Sequence, residues 1–353
     1  MSHRRPLTVP AVFVLGAGAS AVVAQRTVLT ANLLDTALTD ASAVRELPPA
    51  DRRRIQHFLE FLSGQWKGVS LLDVLSIVDV ATAQNLPLSP DWGTARLARV
   101  KRSIQRAIYV CIEESVGPIR MPEAPSRDLA AVLNAIALPG APLPVIVSLN
   151  WDCLIEHAYI AAWSGRMDVI DYGVASVTAM GERTPRADRA LVVLKPHGSL
   201  SWGYCSLCSL LVSDLTVPSQ FWSGRGCPRC SVALSAVLVP PVGRLRGMPP
   251  FFDGLWARVE QAIEDSDRLV FIGYSLPSQD VHVRVHVVRA LARRALRRRS
   301  PMRVEVVTNE RAASSGTDVL LERRFRDVVG GHVPASHLHF CHDGFETWCG
   351  RQG

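Results

Sequence analysis

The chain has 353 residues, 48% hydrophobic and 20% charged, with a formal net charge of +7. That balance supports a sizeable core and excludes a globally disordered chain, and no segment reaches the apolar length of a membrane span. The length suits one large domain with inserts, or two domains sharing an interface.

Val9 to Leu15 reads as a buried strand running into Gly16-Ala17-Gly18-Ala19-Ser20. Arg4-Arg5 before it and Ala21-Val22-Val23-Ala24 after it imitate a secretion signal, but cleavage there would delete the glycine loop, so export is not expected. Helical periodicity dominates from Ala21 to about Val116, as in Ile55, Phe58, Leu59 and Leu62, then Leu97, Val100, Ile104 and Ile108. Asn85-Leu86-Pro87 to Pro90 breaks it into pieces, and Arg127 to Ala137 adds an amphipathic helix closed by Pro139-Gly140. Residues 21–139 therefore have the character of a helical insert, a small domain of the kind that lids a cleft. Pro144 to Leu149 is an apolar, β-branched run suited to a buried parallel strand; it ends at Asn150-Trp151-Asp152, and Cys153 to Ala162 resumes as helix. Leu191 to Leu194 is a strand ending at Lys195-Pro196-His197-Gly198, and Ala236 to Val239 is another. A helix over Phe251–Asp265 follows, then a strand over Arg268–Ile272 that ends in Gly273-Tyr274-Ser275. Val281 to Arg298 is a long helix, and Arg303 to Val307 a last strand ending at Thr308-Asn309-Glu310. Strands alternating with helices predict an α/β fold with a doubly wound, Rossmann-like parallel sheet, built from 1–20, 140–204 and 231–353.

Residues 205–230 interrupt that pattern. Cys205 and Cys208 form one Cys-x-x-Cys knuckle, Cys227 and Cys230 a second, eighteen residues later. Four thiolates at this spacing close a tetrahedron around zinc and leave no open position, which predicts a small structural zinc-ribbon module; two disulfides are the alternative. Eight cysteines, half of them spaced as metal ligands, fit a reducing, cytoplasmic setting. Cys341 and Cys349, with His337, His339 and His342, form either a second metal site or a plain strand-and-turn ending.

Ligands in open α/β sheets bind beyond the carboxyl ends of the strands, and the polar clusters named above all lie there. Gly16 and Gly18 suit a phosphate loop before a helix N-terminus, or a plain strand–helix turn. Asn150 and Asp152 suit a ribose hydroxyl or a carboxamide, or a helix N-cap. His197 has the chemistry of a general base near neutral pH, or of a structural histidine. Gly273 and Ser275 suit phosphate or ribose, Asn309 a ribose, and turn chemistry is the alternative for both. The runs Arg52–Arg54 and Arg293–Arg299 carry much of the positive charge. No aromatic residues interleave with them, so nucleic acid is not the expected partner, and cations at a helix end commonly face water.

The order Gly-Ala-Gly-Ala-Ser, Asn-x-Asp, His-Gly, paired Cys-x-x-Cys, Gly-x-Ser-Leu, then a terminal strand and Asn resembles the sirtuin family over about residues 10–310. The resemblance implies NAD as substrate, with Gly16, Ala17, Gly18 and Ser20 as its phosphate loop. It implies Asn150 and Asp152 at the nicotinamide ribose and carboxamide, His197 as general base, Gly273 and Ser275 as a second phosphate loop, and Asn309 at the adenosine ribose. It gives Cys205, Cys208, Cys227 and Cys230 to a structural zinc. Three departures stand out. Ala21-Val22-Val23-Ala24-Gln25-Arg26 replaces the family's Gly-Ile-Pro-Asp-Phe-Arg stretch, Leu149 replaces Gln, and Val239-Pro240-Pro241-Val242 replaces the Phe-Gly-Glu segment that pairs with an acyl-lysine peptide. Tyr274 to Asp280 is more similar to divergent bacterial sirtuin-like proteins, some of which destroy NAD in defence against phage. The expectation is an NAD-cleaving enzyme with water as acceptor. A protein-lysine deacylase and a non-catalytic NAD or ADP-ribose sensor are the alternatives, and self-association or a regulatory sensor protein is expected at the helical region.

Overall fold

The computed structural model describes residues 11–23, 38, 46–116, 143–162, 170–178, 190–215, 224–239, 249–297, 300–308 and 317–350. The expected helix at Arg127–Ala137, Asn309 and Pro240-Pro241 lie outside them.

Short runs of valine, isoleucine, leucine and phenylalanine build the central sheet. Strands β1 (Val12–Leu15), β2 (Val145–Ser148) and β5 (Leu191–Leu194) are joined by β3 (Ile170–Asp171) at one edge. On the other side of β1 stand β9 (Arg268–Ile272), β10 (Arg303–Val307) and β11 (Leu338–Cys341). The order is β11-β10-β9-β1-β2-β5-β3, with every pairing parallel. The chain runs outward from β1 to one side, then returns to begin again at β9. This reversal places a topological switch point between β1 and β9. Two corrections follow. Arg303–Val307 is not the last strand, because β11 pairs beyond it. The strand expected at Ala236–Val239 is β8 (Ser235–Leu238), one residue earlier, and it belongs to a different sheet.

That second sheet has the order β4-β7-β6-β8, from β4 (Ser176–Thr178), β6 (Gly198–Cys205), β7 (Leu210–Ser213) and β8. β6 pairs antiparallel with both β7 and β8 and carries the first cysteine knuckle at its end. The cysteine module thus extends from a sheet whose longest strand, β6, begins immediately after His197, well before Cys205.

Helix α1 (Ala17–Val23) leaves β1 at the glycine loop. Helices α2 (Pro49–Ser63), α3 (Leu71–Ala83) and α4 (Thr94–Val116) share their own apolar core, in which Ile55, Phe58, Leu62, Leu97, Val100, Ile104 and Ile108 are fully buried. A reciprocal capping box between Ser70 and Asp73 starts α3. Trp151, Leu200 and Leu238 enter that helical core from the strand side, so the turn after β2 touches both bodies of packing.

Helices α5 (Leu154–Ala162), α6 (Phe251–Asp265), α7 (Val281–Leu296), α8 (Thr317–Val329) and α9 (Phe345–Gly350) complete the described elements. The arginine run does not simply face water. Arg289 and Arg293 reach Glu260, Arg293 and Arg297 reach Glu264, and both carboxylates are buried. Arg294 is itself buried, donating to the carbonyls of Glu264, Ser266 and Ser300 and to Asp267. Most of the run is therefore consumed in fastening α7 to α6. Among the described residues, no helix is long and apolar enough to cross a membrane.

Candidate functional site

The two glycine loops at the switch point are pressed backbone to backbone. Gly16 N donates to Ile272 O at 3.0 Å and Gly18 N to Gly273 O at 2.9 Å. A Cβ on Gly16 would stand 2.6 Å from Gly273 O, and one on Gly18 2.8 Å from Gly273 Cα. Gly273 has φ +59°, in the left-handed region where a Cβ is strained. The glycines are thus required for the approach of β1's loop to β9's loop. Ser275, expected beside Gly273 as part of a phosphate loop, is exposed, and its carbonyl accepts a weak hydrogen bond from Arg324 at 3.4 Å.

Ser20, Asn150 and Asp152 come together. Asn150 Nδ2 donates to Gly16 O at 2.8 Å and to Ser20 Oγ at 2.7 Å, and Ser20 Oγ donates to Asp152 Oδ2 at 2.7 Å. Asp152 Oδ1 accepts Leu154 N at 3.1 Å, so the residue, one position before the N-cap Cys153, also satisfies the first N–H of α5. A half-open cavity lies against this cluster, lined by Ser20, Ser148, Asn150 and Asp152 and by apolar Leu15, Ala19, Leu154, Ile155, Ile272 and Phe345. A mostly apolar wall with a few convergent polar groups is the usual make-up of a small-molecule site.

His197 does not line that cavity; it lies across the 149–152 turn. Its Nδ1 is 3.2 Å from Leu149 O, and its carbonyl accepts Trp151 Nε1 at 2.9 Å. Gly198 makes this corner possible. It has φ +82°, and a Cβ there would stand 2.9 Å from the carbonyl carbon of Val237 and closer still to its oxygen.

Three residues that the motifs do not reveal hold the site together. Lys195 and Glu156 are both fully buried and paired at 2.9 Å, and Lys195 Nζ also donates to the backbone carbonyl of Asp152. Burial acts to lower the Lys195 pKa, but the charges of Glu156, Cys153 and Asp152 outweigh it and leave it raised. Asp280, immediately before α7, accepts Tyr274 Oη at 2.6 Å and lies 3.5 Å from His197 Nε2. Burial alone would raise its pKa; the His197 charge and the hydrogen bonds from His197 and Tyr274 hold it below the usual carboxylate value. Beneath the turn, burial pushes the Cys153 thiol up to about 11, so it remains a thiol at neutral pH.

The four cysteines of the module converge, with their sulfurs within 4.8 Å of one another. Cys205 Sγ accepts from Cys208 N and Cys227 Sγ from Arg229 N, each at 3.4 Å, the local bonding of a tight knuckle. The Cys208 amide pulls the Cys205 thiol down to about 7, while contact with Cys230 pushes Cys208 up to about 12. Four sulfurs this close cannot all ionise without a cation among them, so the donor set fits zinc. His342 instead joins Thr308 and Glu322, each at 3.1 Å, and the quartet is the one metal-competent group among the described residues.

The protein is thus a doubly wound α/β chain with a mostly apolar cavity, marked by one polar cluster, at its switch point and a separate four-cysteine module. No protein-family model matches the sequence, and no curated protein matches it. Among solved structures the chain is similar to a Sir2 homologue–NAD complex, at 14% identity and a TM-score of 0.42, covering 91% of this chain and 90% of that one. It is also similar to Sir2 in complex with an inhibitor, 2'-O-acetyl-ADP-ribose and deacetylated p53 peptide, at 12% identity and a TM-score of 0.41, covering 97% and 91%.

Proposed function

We propose that the protein is a sirtuin-like enzyme that cleaves NAD at the nicotinamide–ribose bond, with water as acceptor, in the manner of an NAD glycohydrolase. The observation that carries this reading is the Asn150–Ser20–Asp152 cluster, hydrogen-bonded to the glycine loop at the sheet's switch point. The ordered series of strand-end motifs supports it. In the proposed pose the loop of Gly16, Ala17 and Gly18 and the N-terminus of α1 receive the pyrophosphate, with Gly273 packed behind them. The nicotinamide–ribose bond breaks through an oxocarbenium-like state, so the site must hold the ribose, orient the carboxamide and present a nucleophile to one face. Asn150 positions the ribose or the attacking water, Asp152 holds the carboxamide, and His197 accepts a proton across the turn. Asn309 is assigned to the adenosine ribose on the sequence resemblance alone. A role in phage defence belongs to the same reading, as does regulation through self-association or a partner sensor.

The preference for water rests on Pro240-Pro241, which lack the two backbone N–H donors this segment would offer an added peptide strand, and on the missing Phe-Gly-Glu segment. The test is incubation of the purified protein with NAD, with and without a mixed acyl-lysine peptide library, followed by chromatography. Nicotinamide and ADP-ribose without peptide are expected, and Asn150→Ala and His197→Ala should each lower release by about two orders of magnitude. Release that depends strictly on peptide, with O-acyl-ADP-ribose formed, would establish the deacylase instead. NAD binding without any turnover, in the self-associated and partner-bound protein as well, would establish the sensor.

A further inference from the structure

The helical body carries a basic face that its own acids do not neutralise. On α4, Arg99, Arg102 and Arg106 recur at i, i+3 and i+7, the spacing of a single helix face. Ser103 lies among them and fixes what stands opposite. Its hydroxyl donates to Asp51 Oδ1 at 2.7 Å and accepts from Arg54 Nη1 at 2.7 Å, so the start of α2 is held against the middle of this stripe. Asp51 is buried and shared, by Arg54 at 2.6 Å and by Arg106 at 2.8 Å. Arg52 and Arg53 stand in the same turn of α2 as Arg54. Six arginines therefore gather around one carboxylate. Arg53, Arg99 and Arg102 are exposed, and neither they nor Arg52 form an ion pair with any described residue. On α7 the opposite holds, because the buried Glu260 and Glu264 engage the arginines there.

A polyanion is the electrostatic complement of such a face, and the side chains present choose among polyanions. No large apolar or aromatic side chain is exposed on this stripe or in this turn of α2. Protein interfaces are centred on aromatic and apolar anchors, and single-stranded nucleic acid requires stacking platforms; the face supplies neither. A second copy of the chain would present the same positive face and be repelled. A duplex needs only cations within reach of its phosphates. Base stacking, whose absence from the sequence argued against nucleic acid, is not required here, since the bases of a duplex are already stacked on one another. Ser103, the hydroxyl of the stripe, is buried and already bonded, so it cannot meet the 2′-hydroxyl by which RNA helices are recognised. We propose that α2 and α4 bind double-stranded DNA through its phosphate backbone, without reading its sequence. Arg99 to Arg106 spans about 10 Å of helix axis, about three base-pair steps of a duplex. Asp51 and Ser103 hold Arg54 from below, so part of the face is preorganised. This surface is separate from the chemistry at the switch point, and its test uses no NAD.

The test is fluorescence anisotropy of a labelled DNA duplex of about 20 base pairs, titrated with the full-length protein at about 50 to 200 mM salt. With about four phosphates neutralised, the slope of log affinity against log salt should be about −3 to −4, a loss of about 10²-fold over that range. A duplex of unrelated sequence should bind within about threefold, and a single strand of equal length more weakly. Arg99→Gln with Arg102→Gln should lower affinity at least about tenfold at the low-salt end and flatten the slope by about 2, with Tm unchanged. Arg53→Gln tests the α2 side independently and should flatten the slope by about 1. Arg323→Gln, on the exposed face of α8, should bind as the wild type does. No binding at low salt, a slope near zero, or wild-type affinity in both the α4 and the α2 variants would overturn the proposal. Tighter binding of an RNA duplex, or displacement of the DNA by a polyglutamate peptide at equal charge, would overturn the choice of DNA.

Discussion

Gly273→Ala tests whether the two glycine loops act as one packed unit. The added Cβ would stand 2.7 Å from Gly18 Cα and closer still to Ala19 N and Gly18 C, all of them backbone atoms that no rotamer change can move. Ordinary contact begins near about 3.4 Å, so the loops must part by about 1 Å or the strand ends must shift. Holding alanine at φ +59° adds about 1–2 kcal/mol, and overpacking against backbone about 1–3 kcal/mol more. The expected loss is therefore about 2–5 kcal/mol, read as a fall in Tm of several degrees. Because the displaced atoms belong to the proposed phosphate loop, NAD affinity should fall as well, and nicotinamide release should drop by about 10²-fold, the scale of a 1 Å misplacement. Gly254→Ala in α6 is the control: no atom lies within 4 Å of its Cβ position, so helix propensity should leave stability unchanged or raise it by up to about 1 kcal/mol. Thermal melting and calorimetric NAD titration check both variants. If Gly273→Ala melts with the wild type and binds NAD within about twofold, the packing argument is wrong.

Lys195→Met should destabilise by about 3–5 kcal/mol, because it strands the buried Glu156 carboxylate, whereas Lys195→Met with Glu156→Leu should recover most of that loss; equal melting of the two variants would refute the pair's role. Protein purified without chelator should carry one zinc per chain by elemental analysis, and Cys227→Ser should lose it; metal-free wild-type protein would contradict the structural site. Glu305 would be raised by burial, but hydrogen bonds from Arg268 and Trp348 and the charges of Arg268 and Arg303 hold it below the ordinary value. Its stabilisation is then present above the unfolded value, about 4.3, and is lost as pH falls through the lower folded value. The gap in Tm between wild type and Glu305→Gln should accordingly be wide at pH 7 and narrow as pH falls below the unfolded value; a gap independent of pH would refute it.

The features legible in the sequence were those whose signal is local. Val12–Leu15, Leu191–Leu194 and Arg268–Ile272 are short apolar runs bounded by glycine or polar turns, and a parallel strand buried on both faces needs nothing else. The cysteine quartet was legible because each knuckle is complete within four residues. Gly198–Cys205 was not legible as a strand: glycine and serine dilute its β signal, and its partners β7 and β8 are themselves short. β11 was lost in a stretch read for its histidines and cysteines. Asp280 was hidden because an aspartate before a helix reads as a cap, and its partner His197 lies 83 positions away. For the arginine run a signal did exist. Glu260 and Glu264 are four apart on one predicted helix, and Arg289, Arg293 and Arg297 repeat at four on the next, which is the spacing of two facing ridges.

The turn from Leu149 to Asp152 explains why the polar groups of one motif act in two places. Asn150 and Asp152 point to the cavity, where Ser20 and the Gly16 carbonyl receive them. Leu149 and Trp151 serve the other side, the first by accepting from His197 Nδ1 and the second by donating to the His197 carbonyl. Leu200 N accepts no part in the cavity either; it donates to Trp151 O and ties β6 to the same turn. Lys195 fastens the last residue of the turn from below. A substrate gripped by Asn150 and also within reach of His197 must therefore lie along the turn itself, and small shifts of the turn change both contacts together. Lys195 stands at the end of β5 and Asp280 just before α7, yet they anchor that turn and its histidine through two buried contacts, the Lys195–Glu156 ion pair and the approach of Asp280 to His197. Such pairs contribute little net stability compared with apolar packing, but they define one geometry sharply, which is the property that a site depending on sub-ångström placement requires.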